Sequence, residues 1–231
     1  MISIITVSYN SYDFLDLLIE SLARYSHLPY ELIVIDNSDN HKVVSVPHVH
    51  QFNMPKNIGH GRGLNHGVAK AYQLFPSFPF LAFFDVDCHI LTHRWEVPFL
   101  KRMDKFSLVG AKGVPAKPIR PACIFMKKSI GKYDWCDTLN YQGHRVTPSG
   151  FDVGIKAYYQ IMADGHNVEF MGSKPNRYGT LNGEEWTLDD VPVVYHHWHG
   201  SHLKERKVDF PNDDLEADKL KLFSKISWRI I

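Results

Sequence analysis

Two aspartates directly follow an apolar run in the stretch LAFFDVDCHI. Asp85 and Asp87 are separated by a single valine. Because an ionised carboxylate is costly to bury without a partner, these residues either cap a turn or bind a ligand. In an extended strand both side chains point the same way, with α-carbons about 6.6 Å apart. They can then bind one hard divalent cation or the hydroxyls of a ribose.

The segment VVYHHWHGSH, near the end of the chain, offers further metal ligands. If it is extended, His197 and His199 face one side of the strand and His196 faces the other. Either of the first two can complete a metal site begun by Asp87. We rank His197 above His199 as the ligand, because His197 lies within the apolar strand. The alternative is that neither histidine binds a metal and both are structural or exposed.

Carboxylates in the second half of the chain are candidates for a general base. Asp152 stands at the start of a predicted helix, where an aspartate ordinarily caps the helix. On a helix that enters the site, the same carboxylate can accept a proton. The rival segment is NGEEWTLDD, which includes Glu184 and Glu185 and is also typical of a solvated loop.

A glycine-dense turn, KNIGHGRGLNHG, precedes a predicted helix. It matches neither the dinucleotide-binding G-x-G-x-x-G pattern in register with a helix start nor a P-loop. Gly59, Gly61 and Gly63 permit a ligand to approach backbone amides at the positive end of the helix. The alternative is a tight turn that packs against the sheet.

Alternating strands and helices must position these residues. In the first half, apolar runs predict strands at ISIITVSYN, YELIVIDNSDN and FLAFFDVDCHI, and helical spacing of apolar residues predicts amphipathic helices between them. Such β-α-β units form a parallel sheet, and Asp36 and the aspartate pair then come to its carboxyl edge, where ligands bind. The second half predicts strands at FSLVGAKG, PACIFMKKSI, HNVEFMG and VPVVYHHWHGSH, and helices at SGFDVGIKAYYQIMADG and NDDLEADKLKLFSKISW.

The composition indicates one globular domain. The 231 residues are 44% hydrophobic, which suffices for a packed core in a single domain, residues 1–231. A formal net charge of +1 argues against a protein that coats nucleic acid by bulk electrostatics. Three cysteines without a Cys-x-x-Cys pair indicate neither a disulfide framework nor a zinc ribbon.

The chain carries no targeting signal that we recognise. It opens without a basic leader, and no run approaches the roughly 20 apolar residues that span a bilayer. We therefore expect a soluble, cytoplasmic protein without a membrane span. A bacterial or viral origin is compatible with these features.

Taken together, ISIITVSYNSYDFLDLLIESL, YELIVIDNSDN, NIGHGRGLNHG, FFDVD and YHHWHGS resemble, in order and spacing, the GT-A fold glycosyltransferases of the family 2 type. The resemblance implies an α/β fold with a mostly parallel central sheet flanked by helices. It implies a nucleotide-binding half at residues 1–90 and a mixed α+β acceptor-binding half at residues 91–231. The implied activity is inverting transfer of a sugar from a nucleotide-diphosphate donor, with uridine as the expected base, to a glycan or another hydroxyl acceptor.

The same resemblance assigns roles to residues. It assigns the donor pocket to side chains and turns of the first half: Thr6, Ser8, Asn10, Asp36, Asn57, Gly59, Asn65 and Asp85. Asp36 contacts the base and Asp85 reaches the ribose or sugar. Asp87 binds Mn²⁺ or Mg²⁺ with the diphosphate, and His197, with His199 as the alternative, is the extra metal ligand.

The catalytic base is where the chain departs from the family pattern. The usual Glu-Asp dipeptide is absent, so position favours Asp152, with Glu185 as the alternative. Two rival functions remain open: a nucleotidyltransferase that makes sugar nucleotides, and a non-catalytic module that binds a nucleotide or glycan.

Overall fold

The computed structural model describes residues 1–113, 119–136, 153–178 and 181–197. In chain order the elements are β1 (Ile2–Ser8), α1 (Tyr12–Tyr25), β2 (Tyr30–Asp36), β3 (Val49–Asn53), α2 (His60–Leu74), β4 (Phe80–Phe84), β5 (Cys88–Ile90), α3 (Glu96–Leu100), β6 (Leu108–Lys112), β7 (Ile119–Lys127), a 3₁₀ turn (Lys128–Ile130), α4 (Ile155–Ala163), β8 (Val168–Tyr178), β9 (Leu181–Leu188) and β10 (Val191–His197). None of the helices in these ranges is long and apolar enough to cross a membrane.

The strands form one large mixed sheet in the order β3-β2-β1-β4-β7-β6-β8-β9-β10-β5. Strands β3, β2, β1 and β4 are parallel, as the β-α-β pattern of the first half predicts. In the second half β6 and β8 are parallel, and the other pairings are antiparallel. The predicted α/β class is confirmed, but the sheet is mixed rather than mostly parallel, because the strands of the second half add antiparallel pairs to the parallel strands of the first.

Helices cover both faces of the parallel strands. The central strand β2 carries four consecutive apolar residues, 32–35, all fully buried, because each of its faces packs against a helix. On one face α1 contributes Phe14, Leu18 and Leu22 to the core. On the other face α2 contributes Leu64, Val68 and Ala71. Each fully buried leucine side chain in these two sets stabilises the fold by about 1.5–3 kcal/mol.

Two glycines of the glycine-dense segment allow α2 to lie directly on β1. A Cβ atom at Gly63 would lie 2.8 Å from Val7 Cγ1, and one at Gly67 would overlap Ile5 Cγ2. Gly59 is different, because it has open space around it but a φ of +83°, which favours glycine. Packing against the sheet therefore explains Gly63 and Gly67, while backbone conformation explains Gly59.

The predicted single strand through FLAFFDVDCHI is broken in two. Strand β4 ends at Phe84, and the amide of Cys88 donates to the carbonyl of Asp85 at 2.9 Å, which closes a turn over residues 85–88. Aspartate favours such turns because its side chain competes for nearby backbone groups. The alternation expected for an extended Asp85 and Asp87 therefore does not apply.

This turn connects distant strands of the sheet. Strand β4 lies inside the sheet, whereas β5 is its last strand and pairs with β10. Three residues span only about 10 Å, so the two regions of the sheet must come close together in space. The sheet consequently folds back on itself, and the turn with the two aspartates lies where its two parts meet.

The second half contains one strand that the sequence pattern did not predict. The segment NGEEWTLDD, considered as a solvated loop, forms most of β9, and Glu184 and Glu185 are both buried. Tertiary pairing with β8 and β10 overrides its polar composition. The predicted last helix lies outside the described residues.

Candidate functional site

The carboxyl ends of three neighbouring parallel strands form one edge of the sheet. Ser8 and Asp36 are the last residues of β1 and β2 and are register partners. Asp85 is the first residue after β4, which lies on the other side of β1. In open α/β sheets ligands bind at this edge, next to the point where the strand order reverses.

Asp36 is fully buried and fixed by hydrogen bonds from the protein. Its Oδ2 accepts from Tyr12 Oη at 2.7 Å and from Gln51 Nε2 at 2.9 Å, and His41 Nδ1 lies 3.1 Å away. Its Oδ1 accepts from the amide of Ser38 at 3.0 Å. Burial raises the pKa of Asp36, but the hydrogen bonds from Ser38 and Tyr12 outweigh it, so the pKa is lowered overall. The carboxylate is therefore held charged and in a fixed orientation.

The predicted nucleoside pocket on β1 begins beside Asp36. Thr6 and Ser8 are fully buried, and within the described ranges their hydroxyl groups have no hydrogen-bond partner. Asn10 is exposed, has a φ of +52°, and donates from Nδ2 to Asp39 Oδ2 at 2.9 Å. Two buried hydroxyls and one exposed amide thus surround the end of the strand.

The residues predicted to form the pocket wall lie at the start of α2. Asn57 Oδ1 accepts from the amide of Gly59 at 2.8 Å, which holds the turn before the helix. Asn65 donates from Nδ2 to Asp134 Oδ1 at 2.6 Å and accepts from the amide of Trp135 at 2.8 Å. Asn65 therefore joins α2 to the segment that follows the 3₁₀ turn, and its contact with a donor stays a prediction.

Asp85 and Asp87 lie beside two imidazole rings. His60 Nε2 is 3.2 Å from Asp85 Oδ1. His196 Nε2 is 3.4 Å from Asp87 Oδ1 and 3.8 Å from Asp85 Oδ2. Burial lowers the pKa of His196, but the carboxylates of Asp87 and Asp85 outweigh it and raise the pKa overall. The two carboxylates thus create a site that attracts positive charge.

The donor atoms of this cluster fit a divalent cation. Asp87, Cys88 and His196 each offer one ligand atom, and the three atoms lie within 4.8 Å of one another. Asp87 and His196 are buried or nearly so. A carboxylate oxygen and an imidazole nitrogen are common ligands of Mn²⁺ and related ions. The cluster suits a divalent cation in two respects: its donor atoms are of the types that bind such ions, and it lies next to the carboxyl edge of the sheet.

The structure places His196 at the aspartates, where we had expected His197. His197 Nε2 lies 3.0 Å from His89 Nδ1, and its ring centroid lies 5.2 Å from that of Phe14 and 4.7 Å from that of Tyr195. Burial, followed by the neighbouring His89, lowers its pKa well below the usual value. Alternation along β10 turns this ring into the core on the α1 side. The alternative ligand His199 lies outside the described residues.

Of the two predicted bases, only Glu185 lies within the described residues. Glu184 is the register partner of His196, and Glu185 is that of Tyr195, so the two carboxylates face opposite sides of β9. Glu184 therefore shares the face of His196, and its Oε1 accepts from Arg120 Nη1. Glu185 is buried on the other face, which does not favour it as a base near the aspartates.

Asp152, the first choice for the base, lies outside the described residues. Helix α4 begins at Ile155, after Gly154 with a φ of +92°. Gly154 donates from its amide to the carbonyl of Trp135 at 3.1 Å, so this helix start packs next to the segment that Asn65 holds. The role of Asp152 stays a prediction.

Several residues of this site were not selected from the sequence. His60 directly follows Gly59, and its position in the first turn of α2 at the carboxyl edge is a signal that could have identified it. His196 on β10 is the cross-strand partner of Glu184 on β9, which the sequence offered only as a candidate base, so the strand register was needed to bring the two together. The ring of Trp186 stacks on that of His196, with 5.0 Å between the ring centroids, and so packs against the imidazole that faces the aspartates.

Similar solved structures share this fold. A TarS fragment from S. aureus, residues 1–349, superposes with a TM-score of 0.53 at 16% identity, covering 94% of this chain and 68% of its own. The same fragment in complex with UDP superposes with a TM-score of 0.53 at 15% identity, and the superposition covers 94% of this chain and 68% of the fragment. The longer TarS structure superposes with a TM-score of 0.53 at 16% identity. The superposition covers 99% of this chain but only 43% of that TarS chain.

The sequence comparisons identify the family. The comparison with curated proteins found no match. The family model described as glycosyl transferase family 2 matches residues 3–118, half of the chain. The matched range runs from the second residue of β1 to beyond the end of β6, so it includes the carboxyl edge, Asp36 and both aspartates of the turn. The chain belongs to glycosyl transferase family 2.

Proposed function

We propose that this protein transfers a sugar from a nucleotide-diphosphate donor, a UDP-sugar, to a hydroxyl group of a glycan or related acceptor, with a divalent cation and inversion at the anomeric carbon. The observation that carries the proposal is the cluster of Asp85, Asp87 and His196 at the carboxyl edge, on the same edge as Asp36. Family membership and the UDP complex of a similarly folded TarS fragment support this donor class.

The nucleoside end of the donor would lie at the end of β1 and β2. Asp36, charged and fixed, accepts a hydrogen bond from the base. The buried hydroxyls of Thr6 and Ser8 and the amide of Asn10 offer further polar contacts next to it. Tyr9 exposes its ring at the same edge, where an aromatic face can stack on a base.

The diphosphate end would lie at the turn after β4. Asp87 and His196 would hold Mn²⁺ or Mg²⁺, and Asp85, between His60 and His196, would orient the ribose or sugar hydroxyls. When bound, the cation supplies positive charge that stabilises the departing diphosphate. The charge of the cation would offset the cost of burying the Asp87 carboxylate.

Transfer also requires a base on the acceptor side. A carboxylate there removes the proton of the acceptor hydroxyl as its oxygen attacks the anomeric carbon. We assign this role to Asp152 by its position just before α4. Glu185 is the less favoured alternative, because its strand position turns it away from His196.

The activity can be tested with a panel of sugar nucleotides. The full chain is incubated with each donor, Mn²⁺ and a set of glycan acceptors, and the released nucleoside diphosphate is measured. We expect acceptor-dependent release that EDTA abolishes and that added Mn²⁺ restores. Pyrophosphate-dependent exchange would instead indicate a nucleotidyltransferase, and binding without turnover a non-catalytic module.

The base assignment has its own experiment. Asp152→Asn should retain nucleotide affinity and lose transfer, because the substitution removes the proton acceptor and leaves the donor site intact. Glu185→Gln serves as the comparison. An unchanged transfer rate in Asp152→Asn would remove this residue from the mechanism, and a selective loss in Glu185→Gln would make that residue the base.

A further inference from the structure

Cys88 stands directly after the aspartate pair and is the first residue of β5. It is the register partner of His196 on β10, so the two side chains lie on the same face. Its Sγ lies within 4.8 Å of the ligand atoms of both Asp87 and His196. The turn at residues 85–88 and the pairing of β5 with β10 thus bring three different donor types to one point.

A second buried thiol shows that burial alone does not produce this arrangement. Cys88 and Cys123 are both fully buried and both belong to the same hydrophobic core cluster. The Sγ of Cys123 contacts Met171 Sδ at 3.7 Å, whereas that of Cys88 donates to the carbonyl of Ala122 at 3.2 Å. Of the cysteines in the described ranges, Cys88 is the one whose sulfur lies within a group of potential metal ligands, together with Asp87 and His196.

We propose that Cys88 is a third protein ligand of the divalent-cation site, with Asp87 and His196, and that its sulfur makes the site prefer thiophilic ions such as Zn²⁺, Cd²⁺ and Co²⁺ over Mg²⁺. The inference rests on the proposed function, because it concerns the cation site of that reaction. Three protein ligands leave coordination positions for oxygens of the donor diphosphate, as in catalytic metal sites.

The chemistry of sulfur gives the reason for the preference. Soft thiolate ligands select zinc-like ions, whereas Mg²⁺ is bound by carboxylate, carbonyl and water oxygens. A thiol must lose its proton to coordinate a metal, so the S–H bond to the Ala122 carbonyl is replaced by a bond from sulfur to the metal, and the proton passes to solvent. Mg²⁺ would use Asp87 and leave the thiol protonated.

Cobalt provides a direct readout of sulfur coordination. The full chain is prepared with Cys136→Ser, which removes the half-buried and most accessible of the described thiols. Co²⁺ is added without donor, and the thiolate-to-cobalt charge-transfer band is recorded in the near ultraviolet. Zn²⁺, Cd²⁺ and Mg²⁺ then compete for the same site. We expect the band in this parent, and displacement by Zn²⁺ and Cd²⁺ at concentrations where Mg²⁺ has no effect.

Matched cysteine variants assign the band to one residue. Cys88→Ser and Cys88→Ala should each abolish it and weaken Zn²⁺ binding by about 10–100-fold, with Mg²⁺ affinity unchanged. Cys88→Ala is the second variant because, unlike serine, alanine adds no hydroxyl group at this fully buried position, where a hydroxyl could prevent folding. Cys123→Ala, which removes the neighbouring buried thiol, should leave both the band and the Zn²⁺ affinity unchanged.

The possible results separate this inference from the proposed function. Absence of the band in a parent that still requires Mn²⁺ for transfer would overturn the role of Cys88 and leave the function standing. Persistence of the band in Cys88→Ala, or its loss in Cys123→Ala, would also overturn it. A parent that neither binds Co²⁺ or Mn²⁺ nor responds to EDTA in transfer would contradict the cation site itself, and with it the metal-dependent reaction.

Discussion

Two buried carboxylate sites lie on the same edge of the sheet and differ in what surrounds them. Asp36 is held by a phenol, a carboxamide, an imidazole and a backbone amide. The neighbours of Asp85 and Asp87 are imidazoles and a thiol, which are metal-ligand types. This difference supports the proposal that Asp36 recognises and positions the donor, whereas Asp85 and Asp87, grouped with metal-ligand types, bind the cation.

The effects on pKa follow the same division. Neutral hydrogen-bond donors keep Asp36 ionised, and its pKa is lowered despite burial. At the other site it is the histidine that responds, since Asp87 and Asp85 raise the pKa of His196 against the effect of burial. The two carboxylates therefore favour the protonated imidazole more strongly than burial disfavours it.

The largest expected effect tests whether the turn binds the cation. Asp87→Asn should reduce transfer by about 10²–10³-fold, because it removes a charged ligand from the group that stabilises the leaving diphosphate. The rate of nucleoside diphosphate release at saturating donor checks this. Asp104→Asn, at an exposed aspartate, is the control and should leave the rate unchanged. A full rate in Asp87→Asn would show that the two carboxylate sites do not differ as described.

The two neighbouring histidines of β10 sharpen the comparison. His196→Gln should weaken Mn²⁺ binding by about 10–100-fold and leave the fold intact, because its ring faces the aspartates. His197→Gln should instead lower the free energy of unfolding by about 1–3 kcal/mol, because it disrupts the buried contact with His89. Calorimetric titration and chemical unfolding measure the two quantities. If the two variants exchanged these effects, the face assigned to each ring would be wrong.

Asp36 should contribute to stability in a pH-dependent way. Asp36→Asn should lower the free energy of unfolding at neutral pH by about 1–3 kcal/mol, because three side chains hydrogen-bond to its Oδ2. Since the folded pKa is below the ordinary value of 3.8, this contribution is present above that value and is lost as the pH falls through the folded pKa.

Unfolding curves at a series of pH values test this directly. The difference between the parent and Asp36→Asn should shrink as the pH is lowered from neutral to below 3.8. Asp104→Asn should give a curve that follows the parent throughout. A difference that does not vary with pH would mean that the charge of Asp36 adds nothing to folding.

The smallest expected effect concerns the hydroxyl of Thr6. Thr6→Val keeps the shape and removes a buried hydroxyl that has no partner among the described residues, so the free energy of unfolding should rise by about 1 kcal/mol. Nucleotide affinity should fall if that hydroxyl contacts the donor. Ser21→Ala is the contrasting variant, because the Ser21 hydroxyl donates to Leu18 and accepts from Ile90, and its loss should destabilise. Destabilisation by Thr6→Val would reveal a partner for the hydroxyl.

Local sequence patterns predicted the first half well. Each strand of β1, β2 and β4 is a short apolar run, and Asp36 and Asp85 stand at the ends of two of them. Patterns of this kind depend on neighbours in the chain, so they are readable without the fold. The second half was predicted less well, because β9 is polar in sequence and buried only through its two neighbouring strands.

The sequence by itself determined the α/β framework and the edge at which the aspartates emerge, because periodicity and the handedness of β-α-β units fix both. Only the tertiary structure decided which histidine meets them. His89 and His197 are 108 residues apart in the chain, and the antiparallel pairing of β5 with β10 turns His197 into the core and His196 toward Asp87. A shift of one residue in that register would exchange the two rings, and register is set by long-range packing.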